Sequence, residues 1–104
     1  MRRGEVWLAE VGRKRRPVLL LTRSEVLDTR SLVTVAEVTT SIRGLAADAE
    51  VDIDYVDVGL VRPSAINCDT LHTVVQASLI GPVGQVADDT MQRVCSAVSY
   101  ALGC

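Results

Sequence analysis

The amino-acid sequence predicts a mostly-β protein of the α+β class, a small barrel of short antiparallel strands with a C-terminal amphipathic helix. Three observations predict it. First, the apolar residues make up 48% of 104, yet there is no Phe, one Trp and two Tyr, so Val, Leu, Ile and Ala must fill the core. That β-branched bias favours strands. Second, short apolar or alternating runs recur as far as Val86, separated by Gly, Pro or polar residues, the spacing of a compact all-β region. Third, the pattern changes to a helical period after Asp88, and one helix against a curved sheet of short strands suits a small barrel. The length is that of one domain, expected to span 1–104, and is enough to bury a core without staples.

Gly4 to Val11 reads as the first strand, ended by Gly12, and the apolar run Pro17 to Thr22 as the second. The five residues between them make a hairpin loop, with the basic run Arg13-Lys14-Arg15-Arg16 at its tip. A short helical turn is expected around Ser24 to Leu27. Ser31 to Val38 is the third strand, with Thr39-Thr40-Ser41 where it runs out and a turn at Gly44. Ala49 to Asp54 alternates acid and apolar residues, as a half-buried strand does. Tyr55 to Arg62 is a loop containing Gly59, and Pro63 stiffens the entry to a strand over Ser64 to Asp69. Leu71 to Val75 continues it after a kink, and Leu79 to Val86 is the last strand. Met91, Val94, Cys95, Val98, Ala101 and Leu102 then form an amphipathic stripe. Asp88 or Asp89 can cap this helix, Asp89 with Gln92 at capping-box spacing, and Gly103 suits its C-terminal cap.

Composition excludes several classes. No apolar run is long enough to span a bilayer, and Met1 to Glu5 has no apolar signal stretch, so a cytoplasmic location and no membrane partner are expected. Cys68, Cys95 and Cys104 are odd in number and far apart. Cys68 and Cys95 are expected to be buried thiols and Cys104 a free tail residue. No metal site is expected, since four ligands at usable spacing are missing. The net charge of −2 argues against nucleic acid, but its distribution is uneven: residues 1–43 carry nine Lys/Arg and five Asp/Glu, residues 44–104 two and eight. A local basic patch can seat phosphates; on charge alone it is equally a solvated loop.

Most catalytic constellations are absent, including a phosphate-binding Gly loop before a helix and a Cys–His pair. Arginines, hydroxyls and carboxylates remain, and these suffice for RNA, which carries its own nucleophile in the 2′-OH. Arginine suits the charge of a phosphorane but is a poor base.

The sequence resembles the MazF/PemK toxin family along nearly its whole length. The matching stretches are Arg3 to Leu8, Arg16 to Leu20, Val33 to Ser41, Gly59 to Ser64 and Cys68-Asp69, followed by a final strand and helix over Leu79 to Leu102. The resemblance implies an SH3-like barrel and a two-fold homodimer. It also implies sequence-specific, metal-independent cleavage of single-stranded RNA, whether messenger, ribosomal or transfer RNA, with 2′,3′-cyclic phosphate and 5′-OH products. A cognate MazE-like antitoxin would block the RNA groove with a flexible acidic tail. No cofactor is implied.

Arg16 matches the family's catalytic arginine, and Pro17 keeps it extended. Thr39 matches the catalytic threonine, with Thr40 and Ser41 as further hydroxyls toward RNA. Asp69 matches the general base of PemK-type members, but Asn67 stands where those have an arginine, so Arg16 with Thr39 is the favoured pair. Glu37 replaces a usual proline two residues before Thr39; it either points away or alters the proton chemistry. The first hairpin loop is shorter than in many relatives, leaving Arg13, Lys14 and Arg15 to hold phosphates by counterion release. His72 reads as a strand-surface histidine. Two other readings stand beside the toxin: a non-catalytic SH3-like module binding RNA or protein, and a degenerate toxin kept as a regulator, for which Glu37 and Asn67 speak.

Overall fold

The computed structural model describes residues 1–40, 49–56 and 58–104. Six strands, β1 (Glu5–Val11), β2 (Lys14–Leu20), β3 (Leu32–Thr39), β4 (Glu50–Ile53), β5 (Ser64–Val75) and β6 (Ile80–Gln85), precede one helix, α1 (Asp88–Leu102). They form a curled antiparallel sheet in the order β4-β5-β3-β2-β1-β6, the mostly-β plan with a C-terminal helix that the sequence predicts. A 3₁₀ helix at Ser24–Thr29 occupies the expected helical turn.

The two faces of the sheet bury separate clusters, as alternation along each strand requires. Val6, Leu19, Ala36, Val38, Val51, Ile66 and Cys68 meet Met91, Val94 and Ala97 of α1. On the other face, Ala9, Val18, Leu20, Val33 and Val35 pack with Leu27 and Leu79, and Trp7 lies partly buried against them. Each fully buried Leu, Ile or Val contributes roughly 1.5–3 kcal/mol.

Four expectations are corrected. The first hairpin is tighter than a five-residue loop: β1 and β2 pair out to Val11↔Lys14, leaving Gly12 and Arg13 as the turn. Gly12 has φ 66°, a positive backbone angle that glycine adopts without steric cost in a two-residue hairpin turn. Only Arg13 of the basic run is therefore at the tip; Lys14, Arg15 and Arg16 stand on β2. Thr39 is the last residue of β3, inside the strand. Cys95 is exposed, where a buried thiol was expected, and Cys68 is buried, because α1 turns only the narrow stripe Thr90, Met91, Val94 and Ala97 inward. Arg3 donates from Nη2 to the Cys95 sulfur at 3.0 Å. Ala87 holds the N-cap position of α1 and no side chain caps it, so the Asp89–Gln92 capping box does not form; Asp88 and Asp89 lie in the first turn, where a carboxylate still favours the helix dipole. Gly103 closes the helix as expected, with the Gly103 and Cys104 amides bonded to the carbonyls of Tyr100 and Ser99.

Two features of the sheet position the site. The loop before β5 lies directly on β6. Gly59 (φ 78°) sits against the Val83 carbonyl and Gly84 against the Val58 backbone, and a Cβ at either position would overlap those atoms. The second feature is a bulge in β5. The single step from Ala36 to Glu37 on β3 corresponds to the step from Leu71 to Asn67 on β5, so Cys68, Asp69 and Thr70 fall outside the register. Asn67 staples the bulge, accepting from the Asp69 amide at 3.0 Å and donating to Thr70 Oγ1 at 3.1 Å. Among the described residues no helix is long and apolar enough to cross a membrane.

Candidate nucleic-acid groove

The β2–β3 ladder runs from Leu20↔Val35 to Val18↔Glu37 and stops there. The next residue of β2 is Pro17, which has no N–H to continue a ladder. Extending the same antiparallel register by two residues sets Arg16 across from Thr39, at the point where the strands part. A groove of about 390 Å³ opens there, lined by Lys14, Arg15, Arg16, Pro17, Val38, Thr39, Thr40, Leu60, Val61, Arg62 and Ser64. Four of these side chains are cationic, two are threonines, and none is a carboxylate.

A larger open concavity of about 950 Å³ lies between β4 and α1, but Glu50, Asp52 and Asp89 line it, with Arg93 the one cation among the described residues. That balance repels phosphate, so the smaller groove is the better polyanion seat.

The structure thus brings together Lys14, Arg15, Arg16, Thr39 and Thr40 from the sequence-based set. Arg13 stands apart at the hairpin turn. Asp69 is exposed on the β5 bulge and does not line the groove. Ser41 lies outside the described residues. Sequence reasoning missed Arg62, which the loop docked on β6 delivers to the groove; it stands within the matching stretch Gly59 to Ser64, and that was the available signal. Val61, 89% exposed, stands beside it at the rim.

Behind Arg16 is a second arrangement. Arg16 Nη1 lies 3.5 Å from Glu37 Oε1, and Glu37 Oε2 lies 2.8 Å from His72 Nε2. A carboxylate only accepts, so His72 carries its proton on Nε2 in this bond. Glu37 therefore does not point away; it faces Arg16. Side-chain exposure falls from 41% at Arg16 and 31% at His72 to 15% at Glu37, so the carboxylate is the least exposed of the three. On the α1 side of the sheet, the buried Cys68 thiol is pushed up to about 11, first by burial and then by Asp69 and Cys95, which holds it in the less reactive thiol form at neutral pH.

A curled sheet with one packed helix, carrying a cationic groove furnished with hydroxyls, defines a small protein built to hold a polyanion. The comparisons narrow that class. Residues 2–102 match the family described as PemK-like, MazF-like toxin of type II toxin–antitoxin system, and the chain belongs to that family. It is 39% identical over 105 residues to the probable endoribonuclease MazF5 of Mycobacterium tuberculosis, covering 98% of this chain and 93% of the relative. The solved structure of Mycobacterium tuberculosis toxin MazF-mt6 superposes with a TM-score of 0.86 at 35% identity, over 95% of this chain and 96% of that one. An endoribonuclease in complex with its cognate antitoxin from Mycobacterial species shares the fold, with a TM-score of 0.87 at 24% identity over 99% and 95% of the two chains.

Proposed function

We propose that this chain, a single toxin domain over residues 1–104, is a sequence-specific endoribonuclease acting on single-stranded RNA in the cytoplasm. The observation that carries the reading is the juxtaposition of Arg16 and Thr39 across the parted strands, in a groove with Lys14, Arg15 and Arg62. The names of the relatives, endoribonucleases of the same family, support it.

In the reaction, the RNA 2′-oxygen attacks the adjacent phosphorus and loses its proton. The P–O5′ bond breaks, and the 5′-oxygen takes up a proton. The products are a 2′,3′-cyclic phosphate and a 5′-OH. Arg16 offers fixed positive charge to the phosphorane oxygens, worth several kcal/mol in a preorganised site. The Thr39 hydroxyl bonds the scissile phosphate or orients the 2′-OH. Thr40 adds a second hydroxyl in the groove, and Ser41, outside the described residues, stays a candidate for a third. Arg13, Lys14, Arg15 and Arg62 hold flanking phosphates. Asp69 stays outside the core of this scheme, since it is off the groove. No step drawn here calls for a metal or a cofactor. The working unit is a homodimer, and a cognate MazE-like antitoxin occupies the groove with acidic side chains; membership of a toxin–antitoxin family supports that partner.

Growth tests the reading. Induction of the intact chain is expected to arrest cells, and Arg16→Ala to relieve the arrest at equal expression. Equal growth with both variants would instead favour a non-catalytic module.

A further inference from the structure

Arg16 is a flexible side chain, 41% exposed, on a strand edge where the ladder has ended. A catalytic guanidinium in such a place needs something to fix it, because a displacement of about 1 Å can cost about 10²-fold in rate. Among the described residues, none that lines the groove is an anion. The carboxylate that meets Arg16 comes from behind. Val18 pairs with Glu37, so Arg16, two residues along β2, is the diagonal neighbour of Glu37 on the same face, within reach of a long side chain.

Glu37 is in turn held by His72. In a regular register, residue 70 would stand near Glu37. The three-residue bulge in β5 sets Asn67 opposite Glu37 instead, while His72, which pairs with Val35, is the diagonal neighbour of Glu37, and its Nε2 lies 2.8 Å from Glu37 Oε2. Each carboxylate oxygen then has one partner: His72 anchors the first and Arg16 leans on the second at 3.5 Å. The asymmetry of those distances is informative. The tight, less exposed contact fixes the carboxylate, and the looser, exposed one leaves the guanidinium able to engage a phosphate without leaving its anchor. Val18 and Val35, both fully buried, flank Glu37 on this face, so the carboxylate has little room to rotate.

We propose that Glu37 and His72 are positioning residues for Arg16, a half-buried carboxylate–imidazole pair that aims the guanidinium at the scissile phosphate. The proposal rests on the reading of Arg16 as the catalytic arginine.

Steady-state cleavage of a short RNA containing one cut site tests it, with Glu37→Gln, Glu37→Ala, His72→Leu and His72→Gln beside Arg16→Ala. The expected result is a fall in kcat of between about 10- and 100-fold for Glu37→Ala and His72→Leu, with KM within about threefold, since the groove's other cations still bind the RNA. His72→Gln, which keeps a donor toward the carboxylate, is expected to recover most of the loss. The Arg16 side-chain N–H signals in ¹⁵N NMR are expected to sharpen toward free rotation in Glu37→Ala and His72→Leu. Should Glu37→Ala fail to fold, Glu37→Gln and the two His72 variants decide the question. If Arg16→Ala abolishes cleavage while the Glu37 and His72 variants keep wild-type kcat, the positioning role is refuted and the catalytic reading of Arg16 stands. If Arg16→Ala itself cleaves normally, both fall together.

Discussion

Glycines 12, 59 and 84 form a natural series for the contact that builds one wall of the groove. Gly12 and Gly59 share a left-handed backbone, φ 66° and 78°, so an alanine at either is strained by about 1 kcal/mol. They differ in surroundings: a Cβ at Gly12 meets nothing, whereas one at Gly59 overlaps the Val83 carbonyl. The overlap is with backbone, which cannot swing away, and forced repacking of this kind costs about 1–3 kcal/mol. Gly84 has the overlap, against the Val58 backbone, without a positive φ. The expected destabilisation is therefore about 1 kcal/mol for Gly12→Ala, about 1–3 for Gly84→Ala, and about 2–4 for Gly59→Ala, the sum of the two terms. Urea unfolding followed by Trp7 fluorescence, at one fixed protein concentration, reads this as a shift in midpoint at constant m. Heating should show a Tm loss of about 4–8 °C for each kcal/mol. Because the same loop carries Leu60 to Arg62 into the groove, the folded fraction of Gly59→Ala is also expected to bind RNA more weakly, and Gly12→Ala is not. Equal midpoints for Gly12→Ala and Gly59→Ala would show that the loop does not rest on β6 in solution, and the groove as described would lose that wall.

Three further outcomes follow from the site and its surroundings. Lys14→Ala and Arg15→Ala are each expected to reduce the slope of log K against log salt for a single-stranded RNA by about 0.7, the share of one phosphate; an unchanged slope would remove that residue from the RNA path. Arg16→Lys is expected to stay close to Arg16→Ala in kcat, because an ammonium cannot reproduce the planar guanidinium fork; near-wild-type kcat would mean that charge alone suffices. The Cys68 thiol, held up to about 11 by burial and by Asp69 and Cys95, is expected to resist iodoacetamide at pH 8 in the folded protein while exposed Cys95 and Cys104 react. The unfolded chain loses that proton first, near the ordinary thiol value, so the contribution to stability is intact below about pH 8.5 and declines up to about 11. Cys68→Ser should flatten that alkaline limb, and an unchanged limb would rule the thiol out as its source.

The strands and the helix were legible because their signal is local. Alternation at Glu50 to Ile53 and the 3.6 period after Asp88 survive in the structure as β4 and α1. The basic hairpin was misread for a physical reason. Charge marks exposure, not the absence of a strand, and Lys14 to Arg16 remain strand because their backbones pair with Ala9 to Val11. Cys95 fits the helical stripe, but only Thr90, Met91, Val94 and Ala97 of α1 turn inward, and stripe width is not written in the period. The groove depended on resemblance for Arg16 and Thr39, and on register for their facing one another. Arg62 arrives through a loop whose docking turns on Gly59 and Gly84, which carry no periodic signal. The Glu37–His72 bond joins side chains 35 residues apart across β3 and β5, and Asn67 and Thr70, which staple the neighbouring bulge, read in sequence as ordinary polar strand residues.

If Arg16 is the catalytic arginine, this groove cuts RNA without a metal and loses that ability with Arg16. The most direct test incubates the purified protein with total cellular RNA in EDTA, beside Arg16→Ala, and sequences the new ends. The expected result is discrete cuts within a short shared sequence, bearing 5′-OH and 2′,3′-cyclic phosphate ends and lost in Arg16→Ala. Cuts that persist in the variant, or that appear only with added divalent metal, would contradict it.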